Sequence, residues 1–175
     1  LTGQLDRAVE RLTGGHVVWY CETDHAARRL LAARWPDIPN LGDVRTINWS
    51  RIRWGLGPVD ILVGGFPCTD ISLAGTRAGL APGTRSGLWS QFARAIDALR
   101  PRAVVIENVR SLLSVQADRS LEPGDPAMGE RAIGIVLGDL ADLGYDAQWQ
   151  VVSAASVGAP HRRERIFITA HPHHL

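Results

Sequence analysis

Three short stretches carry residue types that could do chemistry. The first is Gly64-Gly65-Phe66-Pro67-Cys68. A cysteine becomes a nucleophile where its surroundings favour the thiolate. The glycines give the backbone freedom that other residues lack, and Pro67 stiffens the approach to Cys68. The same string would also suit a small buried hydrophobe. The second stretch is Glu107-Asn108, directly after the apolar run Ala103-Val104-Val105-Ile106. A carboxyl placed there could exchange a proton with a bound ligand, and the amide could fix a loop; a helix or loop cap is the plainer alternative. The third is His161-Arg162-Arg163-Glu164-Arg165. Alternate residues of an extended segment point the same way, so His161, Arg163 and Arg165 are expected to share a face. Two guanidiniums on one face can hold a carboxylate, a phosphate or a carbonyl; a solvated basic turn is again the plainer reading.

The elements that must position these residues alternate along the chain. Leu5, Ala8, Val9 and Leu12 recur at helical spacing before Gly14-Gly15. His16 to Cys21 is expected as a buried strand. Asp24 can cap a helix that carries Ala27, Leu30 and Leu31 and stops at Pro36. Residues 40–57 are expected to be irregular, with turns and a short strand near Val44. Asp60–Val63 is a second strand, followed by a long loop to about Thr84. Ser86 can cap a helix with Leu88, Phe92, Ile96 and Leu99 on one face, ended by Pro101. Ala103–Ile106 is a third strand. A helix carrying Ile133, Val136, Leu137 and Leu140 follows, with Gly144 at its C-terminal cap. Two further apolar segments lie around Gln148–Val152 and Ile166–Ala170. Such alternation predicts an α/β fold with a mostly parallel, doubly wound sheet. Ligands of such sheets sit at the carboxyl ends of the strands, which is where Cys21-Glu22, Phe66-Pro67-Cys68 and Glu107-Asn108 fall. An acidic residue in the place of Glu22 binds ribose hydroxyls in nucleotide-binding sheets.

Composition narrows the classes. The 175 residues are 45% hydrophobic and 21% charged, with a net charge of +1. That suits one domain with a real core and argues against disorder. The balanced charge leaves no broad electrostatic footprint for nucleic acid, so contact with DNA would rest on locally placed arginines or on a part outside these residues. No run of about 18 apolar residues suggests a membrane span, and the first residues do not resemble a signal peptide. The two cysteines, Cys21 and Cys68, cannot build a disulfide framework, and a reducing, cytoplasmic setting is expected. Cys21 is read as a core thiol, and Trp19 and Tyr20 as core packing. The His171-Pro172-His173-His174 ending is read as a loose tail rather than a metal site, so no metal is expected.

Taken in order, the three stretches resemble the DNA (cytosine-5) methyltransferase family. Gly65-Phe66-Pro67-Cys68 is similar to its Pro-Cys nucleophile motif, Glu107-Asn108-Val109 to its Glu-Asn-Val motif, and His161 to Arg165 to its Gln-x-Arg-x-Arg motif with His161 in the Gln position. Arg85-Ser86-Gly87-Leu88-Trp89 resembles the segment between the first two motifs. The resemblance covers nearly the whole chain. It implies a Rossmann-like S-adenosylmethionine-dependent methyltransferase fold, with an antiparallel strand near the C-terminus and incomplete at both ends. It also implies methyl transfer from S-adenosylmethionine to C5 of a cytosine flipped out of double-stranded DNA. Cys68 would attack C6, Glu107 would meet N3 and the exocyclic amine, Arg165 would help bind the base edge, and Arg163 would support the catalytic loop and Glu107. Phe66, Pro67 and Asn108 join Arg165 as base-binding candidates. Gly3, Glu22, Asp43, Pro67 and Leu88 are the cofactor-binding candidates, with Asp43 similar to the family's acidic contact to the adenine amine.

The chain departs from the family pattern in two places. Thr69 stands where the family usually has Gln, and only Gly3 is left of the family's glycine-bearing first motif. Residues 1–175 are therefore expected to be a partial catalytic and cofactor-binding domain without the target-recognition region, and the segment alone is expected to have little activity. A cognate restriction endonuclease is a partner that the resemblance allows. Two other readings stay open: a cytosine C5-methyltransferase acting on transfer RNA, and a non-catalytic remnant. A dinucleotide oxidoreductase fits the fold class but would need a Gly-x-Gly-x-x-Gly turn that the chain lacks.

Overall fold

A computed structural model describes residues 3–66, 87–114 and 132–173. The chain divides into two compact units, residues 1–58 and 59–175.

In the first unit, helix α1 (Gln4–Thr13) ends where Gly14 turns left-handed at φ 72°, as the Gly14-Gly15 pair predicts. Leu12, assigned to its apolar face, is 86% exposed. Helix α2 (His25–Arg34) begins at Asp24, whose side chain accepts from the Ala27 amide at 2.8 Å. Its chain leaves the helix at Trp35, since the proline that follows disfavours helical backbone there. The segment 16–21, expected as a strand, makes one isolated parallel bridge, Tyr20 with Asn40. Residues 40–57 are more ordered than expected. Val44–Thr46 is a 3-10 turn and not a strand. Trp49–Leu56 is a helix, α3, capped by Asn48, whose side chain accepts from the Arg51 amide at 3.2 Å. Asn is among the best N-cap residues, and Trp49, Ile52 and Leu56 follow it at helical spacing.

In the second unit, the described strands form one sheet: β1 (Ile61–Gly64), β2 (Ala103–Val109), β3 (Tyr145–Ser153) and β4 (Glu164–Pro172), in the order β1-β2-β4-β3. β1 and β2 are parallel, with Gly64 opposite Ile106. β4 runs antiparallel to both β2 and β3. The α/β class and the antiparallel element near the C-terminus are as expected, but the described sheet is mixed and not mostly parallel. The reason lies in the connections. The parallel pair is joined through helix α4 (Leu88–Leu99), whereas β3 and β4 are linked by a short 3-10 turn at Ala154–Val157, which suits antiparallel neighbours.

Alternation along β2 and β4 sets the two faces. Val104, Ile106 and Asn108 point to the buried side, as do Ile166, Ile168 and Ala170. Val105, Glu107 and Val109 share the other face with Arg165, Phe167 and Thr169. On α4, Ile96 and Leu99 are buried as expected, together with Trp89 and Ala93. The Trp89 indole N–H donates to Asp139 Oδ2 at 2.6 Å, tying α4 to helix α5 (Ala132–Asp142). Gly64 must stay a glycine, because a Cβ there would lie 2.4 Å from the Phe92 ring. His171 and His173 are not in a loose tail: His171 lies within β4, and the His173 amide donates to the Gly144 carbonyl at 3.0 Å, while His174 lies outside the described residues.

Candidate active site

The end of the sheet gathers four of the candidates, Phe66, Glu107, Asn108 and Arg165. Strand β2 runs three residues beyond its apolar run, because β4 continues the ladder: Glu107 lies opposite Phe167, Asn108 opposite Ile166 and Val109 opposite Arg165. Glu107 is therefore held inside a strand rather than at its frayed end. Arg165 sits diagonally across from it on the same face, and its Nε donates to Glu107 Oε1 at 2.8 Å. Both side chains are largely shielded from water, at 25% and 19% exposure for Arg165 and Glu107. A charge-assisted bond in such a setting is stronger and more directional than a surface pair.

On the opposite face, Asn108 is 4% exposed and spends both ends of its amide. Its Nδ2 donates to the Phe66 carbonyl at 2.8 Å, and its Oδ1 accepts from the Val109 amide at 2.8 Å. Phe66 is itself buried, with its ring centroid 5.0 Å from that of Trp89. Phe66 follows β1 as Asn108 follows the part of β2 paired with it, so the amide pins the chain directly ahead of Pro67-Cys68 to the strand carrying Glu107. Pro67 and Cys68 lie outside the described residues. One step beyond the β2–β4 ladder, Arg110 Nη1 meets Glu164 Oε2 at 2.8 Å. That pair is on the face opposite Glu107–Arg165 and has its charges the other way round, so a slipped register would bring like charges together.

Arg163 is not arranged as expected. Its φ is 23°, which breaks the extended chain just before β4, so His161, Arg163 and Arg165 do not fall on alternate positions of one strand. All three of His161, Arg162 and Arg163 are exposed, and Arg163 pairs with no other described residue. Leu88 opens α4 and is half-buried.

In the unit spanning residues 1–58, the other candidates are held by local hydrogen bonds. Glu22 Oε1 accepts from the amides of Thr23 and Asp24 at 2.8 and 2.9 Å. One carboxyl oxygen is thus fixed, and Oε2 has no partner among the described residues. Asp43 accepts from the Arg45 side chain through both oxygens, at 2.6–3.0 Å, and from the Arg45 amide at 2.9 Å. The Arg45 hydrogen bonds hold its carboxyl down at about 2, so it is an anionic acceptor at any physiological pH. Gly3 caps α1 with φ 72°, and a Cβ there would meet the Trp35 ring at 2.7 Å. Trp19 packs on Trp49 and Tyr20 on Trp35, with centroids 5.6 and 6.4 Å apart.

Cys21 is partly buried beside Asp43, and burial first, then the charge of Asp43, pushes its thiol up to about 12. The raised value keeps the thiol neutral throughout the neutral range, with about one molecule in ten thousand as thiolate at pH 8. Brief treatment of the native protein with iodoacetamide at pH 8 is therefore expected to leave Cys21 unmodified, with mass spectrometry of the tryptic peptides as the measure. Alkylation of Cys21 at the rate of a free thiol would show that the environment is more open than described.

Three features of the site and its surroundings have partners that the sequence reading does not name. Asn40 bonds to Glu22 and Gly42. Trp89 and Asp139 join the helices, and Arg110 answers Glu164. Of these only Asn40 had a local signal, standing just before the turn Leu41-Gly42-Asp43.

Comparison with known proteins gives a consistent set of relatives. The model of the family "C-5 cytosine-specific DNA methylase" matches residues 3–175. The chain is 35% identical over 153 residues to the Type II methyltransferase M.NlaIV of Neisseria lactamica, covering 87% of this chain and 34% of that protein. It is 34% identical over 152 residues to M.NgoBV of Neisseria gonorrhoeae, with the same coverage. The chain thus spans about a third of the length of these curated relatives. Among solved structures, a Spodoptera frugiperda DNMT2 variant superposes with a TM-score of 0.67 at 17% identity, over 96% of this chain and 46% of that one. The Entamoeba histolytica methyltransferase EhMeth superposes with a TM-score of 0.60 at 14% identity, over 97% and 50%. These structural likenesses bear on the fold, which is that of the methyltransferases.

Proposed function

Because the chain belongs to the C-5 cytosine-specific DNA methylase family, we propose that it supplies the catalytic and cofactor-binding part of an enzyme that methylates C5 of cytosine in double-stranded DNA. The observation that carries this reading is the pairing of Glu107 with Arg165 at the sheet end to which Asn108 pins Phe66. Cys68 stands two residues beyond Phe66, and two residues span at most about 7 Å.

C5 of cytosine is a poor nucleophile while the ring is aromatic. Addition of the Cys68 thiolate to C6 forms a carbon–sulfur bond and moves ring electron density toward N3 and C5. Arg165 holds one oxygen of Glu107, and the other, carrying a proton, donates it to N3 as negative charge develops there; the carboxylate left behind accepts from the exocyclic amine. S-adenosylmethionine, when bound, supplies an electrophilic methyl group for C5. A base then takes the C5 proton, and the electrons of that C–H bond restore the ring as Cys68 departs as thiolate. Glu22 fits a ribose because its free oxygen can accept from hydroxyls. Asp43 fits an adenine amine because it stays ionised. Gly3 and Leu88 complete the cofactor-binding set, with Pro67 between cofactor and base. Phe66, Pro67 and Asn108 hold the base side with Arg165, while Arg163 supports the loop that bears Cys68.

The base must leave the helix to reach these groups. The Type II names of the relatives motivate a cognate restriction endonuclease as partner and a place in the cytoplasm beside the DNA. Among the described residues, no helix is long and apolar enough to cross a membrane.

The test is a covalent trap. Incubation of the intact protein with S-adenosylmethionine and duplex DNA carrying 5-fluorocytosine in the target site is expected to give a protein–DNA adduct that survives denaturing electrophoresis. Fluorine at C5 blocks the elimination that would release the thiol. An adduct with fluorocytosine-bearing transfer RNA in place of the duplex would move the substrate to RNA. An adduct with neither would leave a non-catalytic protein.

A further inference from the structure

We infer that Asn40 is a positioning residue for cofactor binding, the side chain that places Glu22 against the ribose; the inference rests on the proposed cofactor role of Glu22. Around Asn40 the backbone begins a parallel pairing and then abandons it. The Tyr20 amide donates to the Pro39 carbonyl at 3.1 Å, and the Leu41 amide donates to the Tyr20 carbonyl at 2.8 Å. A regular ladder would go on to bond Glu22 with the next residue of the partner segment. The chain does not continue, because Gly42 turns away with φ 81° toward Asp43.

The Asn40 amide takes the place of the missing peptide group. Its Oδ1 accepts from the Glu22 amide at 3.1 Å, and its Nδ2 donates to the Glu22 carbonyl at 3.0 Å. The same Oδ1 accepts from the Gly42 amide at 3.0 Å. One side chain thereby fixes the backbone of Glu22 on both sides and the turn leading into Asp43. The Glu22 carboxylate is fixed at its other end by the amides of Thr23 and Asp24. Backbone and carboxylate together leave Glu22 little freedom except to present Oε2. Asn suits this position by chemistry: Asp lacks the donor, Ala lacks both groups, and Gln would carry its amide one carbon too far. A preorganised acceptor saves the ordering cost that a loose one would incur on binding.

The experiment compares two ligands by titration calorimetry on the intact protein: S-adenosylhomocysteine, and its analogue lacking both ribose hydroxyls. Asn40→Ala is expected to weaken the first about tenfold, as loss of oriented hydrogen bonding does, and to change the second less than about twofold. Glu22→Ala is expected to show the same selectivity, and the Glu22→Ala/Asn40→Ala double variant to bind no more weakly than Glu22→Ala alone. Asn40→Asp keeps the acceptor for the Glu22 and Gly42 amides and loses only the donor, so it is expected to fall between wild type and Asn40→Ala. Equal losses for both ligands, or additive losses in the double variant, overturn the inference by showing that Asn40 acts apart from Glu22. If Asn40→Ala does not fold, wild-type affinity in Asn40→Asp for both ligands overturns it. A wild-type protein that binds neither ligand, or a Glu22→Ala variant that binds both normally, strikes instead at the assigned role of Glu22.

Discussion

Cys68→Ser is expected to cut methyl transfer by about 10⁴-fold or more, the scale seen when a covalent nucleophile is removed. The hydroxyl is nearly isosteric with the thiol but far less acidic, and no serine can add to C6 of a pyrimidine as a thiolate does. Binding should survive. Phe66, the last described residue before Cys68, is anchored by Asn108 and packed on Trp89, and neither contact involves the sulfur. The expected signature is therefore a variant that retains affinity for target duplex in a gel-shift assay, gives no adduct with 5-fluorocytosine DNA, and transfers no tritiated methyl. A serine variant that turns over at a tenth of the wild-type rate would remove Cys68 from the reaction.

The second large effect is at Glu107. Glu107→Gln preserves the shape of the side chain and an oxygen for Arg165 Nε, now 2.8 Å from Glu107 Oε1. It removes the charge of the pair and the capacity to exchange a proton. Loss of a positioned acid–base group typically slows chemistry by about 10²–10⁴-fold, and single-turnover transfer should fall in that range. Cofactor affinity is expected to hold within about twofold, because Glu107 is bonded to Arg165, while Glu22 and Asp43, the acids proposed for the cofactor, are held by Thr23, Asp24 and Arg45. The measurement pairs rapid-quench methyl transfer with calorimetric titration of S-adenosylhomocysteine. Intact transfer with lost cofactor binding would mean that Glu107 serves the cofactor and not the base.

Much of this arrangement was legible because it rests on local signals. Asp24 as a cap, Gly14 and Gly144 as helix stops, and the apolar faces of α4 and α5 all follow from nearest neighbours along the chain. The order Pro67-Cys68, Glu107-Asn108, Arg163-x-Arg165 pointed to the family that the comparison then matched over residues 3–175. What stayed hidden depends on partners distant in sequence. Nothing within Ala103–Ile106 says that β2 extends to Val109; the antiparallel neighbour Arg165–Ala170 decides it. The apolar run 16–21 has strand composition, yet it makes a single bridge. Helix α3 was obscured by Gly55, Gly57 and its short length, although Asn48 and the spacing of Trp49, Ile52 and Leu56 announce it. The positive φ of Arg163 could not be foreseen, since non-glycine residues seldom adopt it.

The strand order has a bearing on how the protein comes into being. β3 is made before β4, yet it joins the sheet only through β4, which lies between it and β2. A growing polypeptide halted short of Glu164 would hold Glu107 without Arg165, and β3 without the strand it pairs with among the described residues. Contacts between segments so far apart form late in folding. On the ribosome, the pair proposed to meet the base can therefore assemble only once Glu164–Pro172 has cleared the exit tunnel.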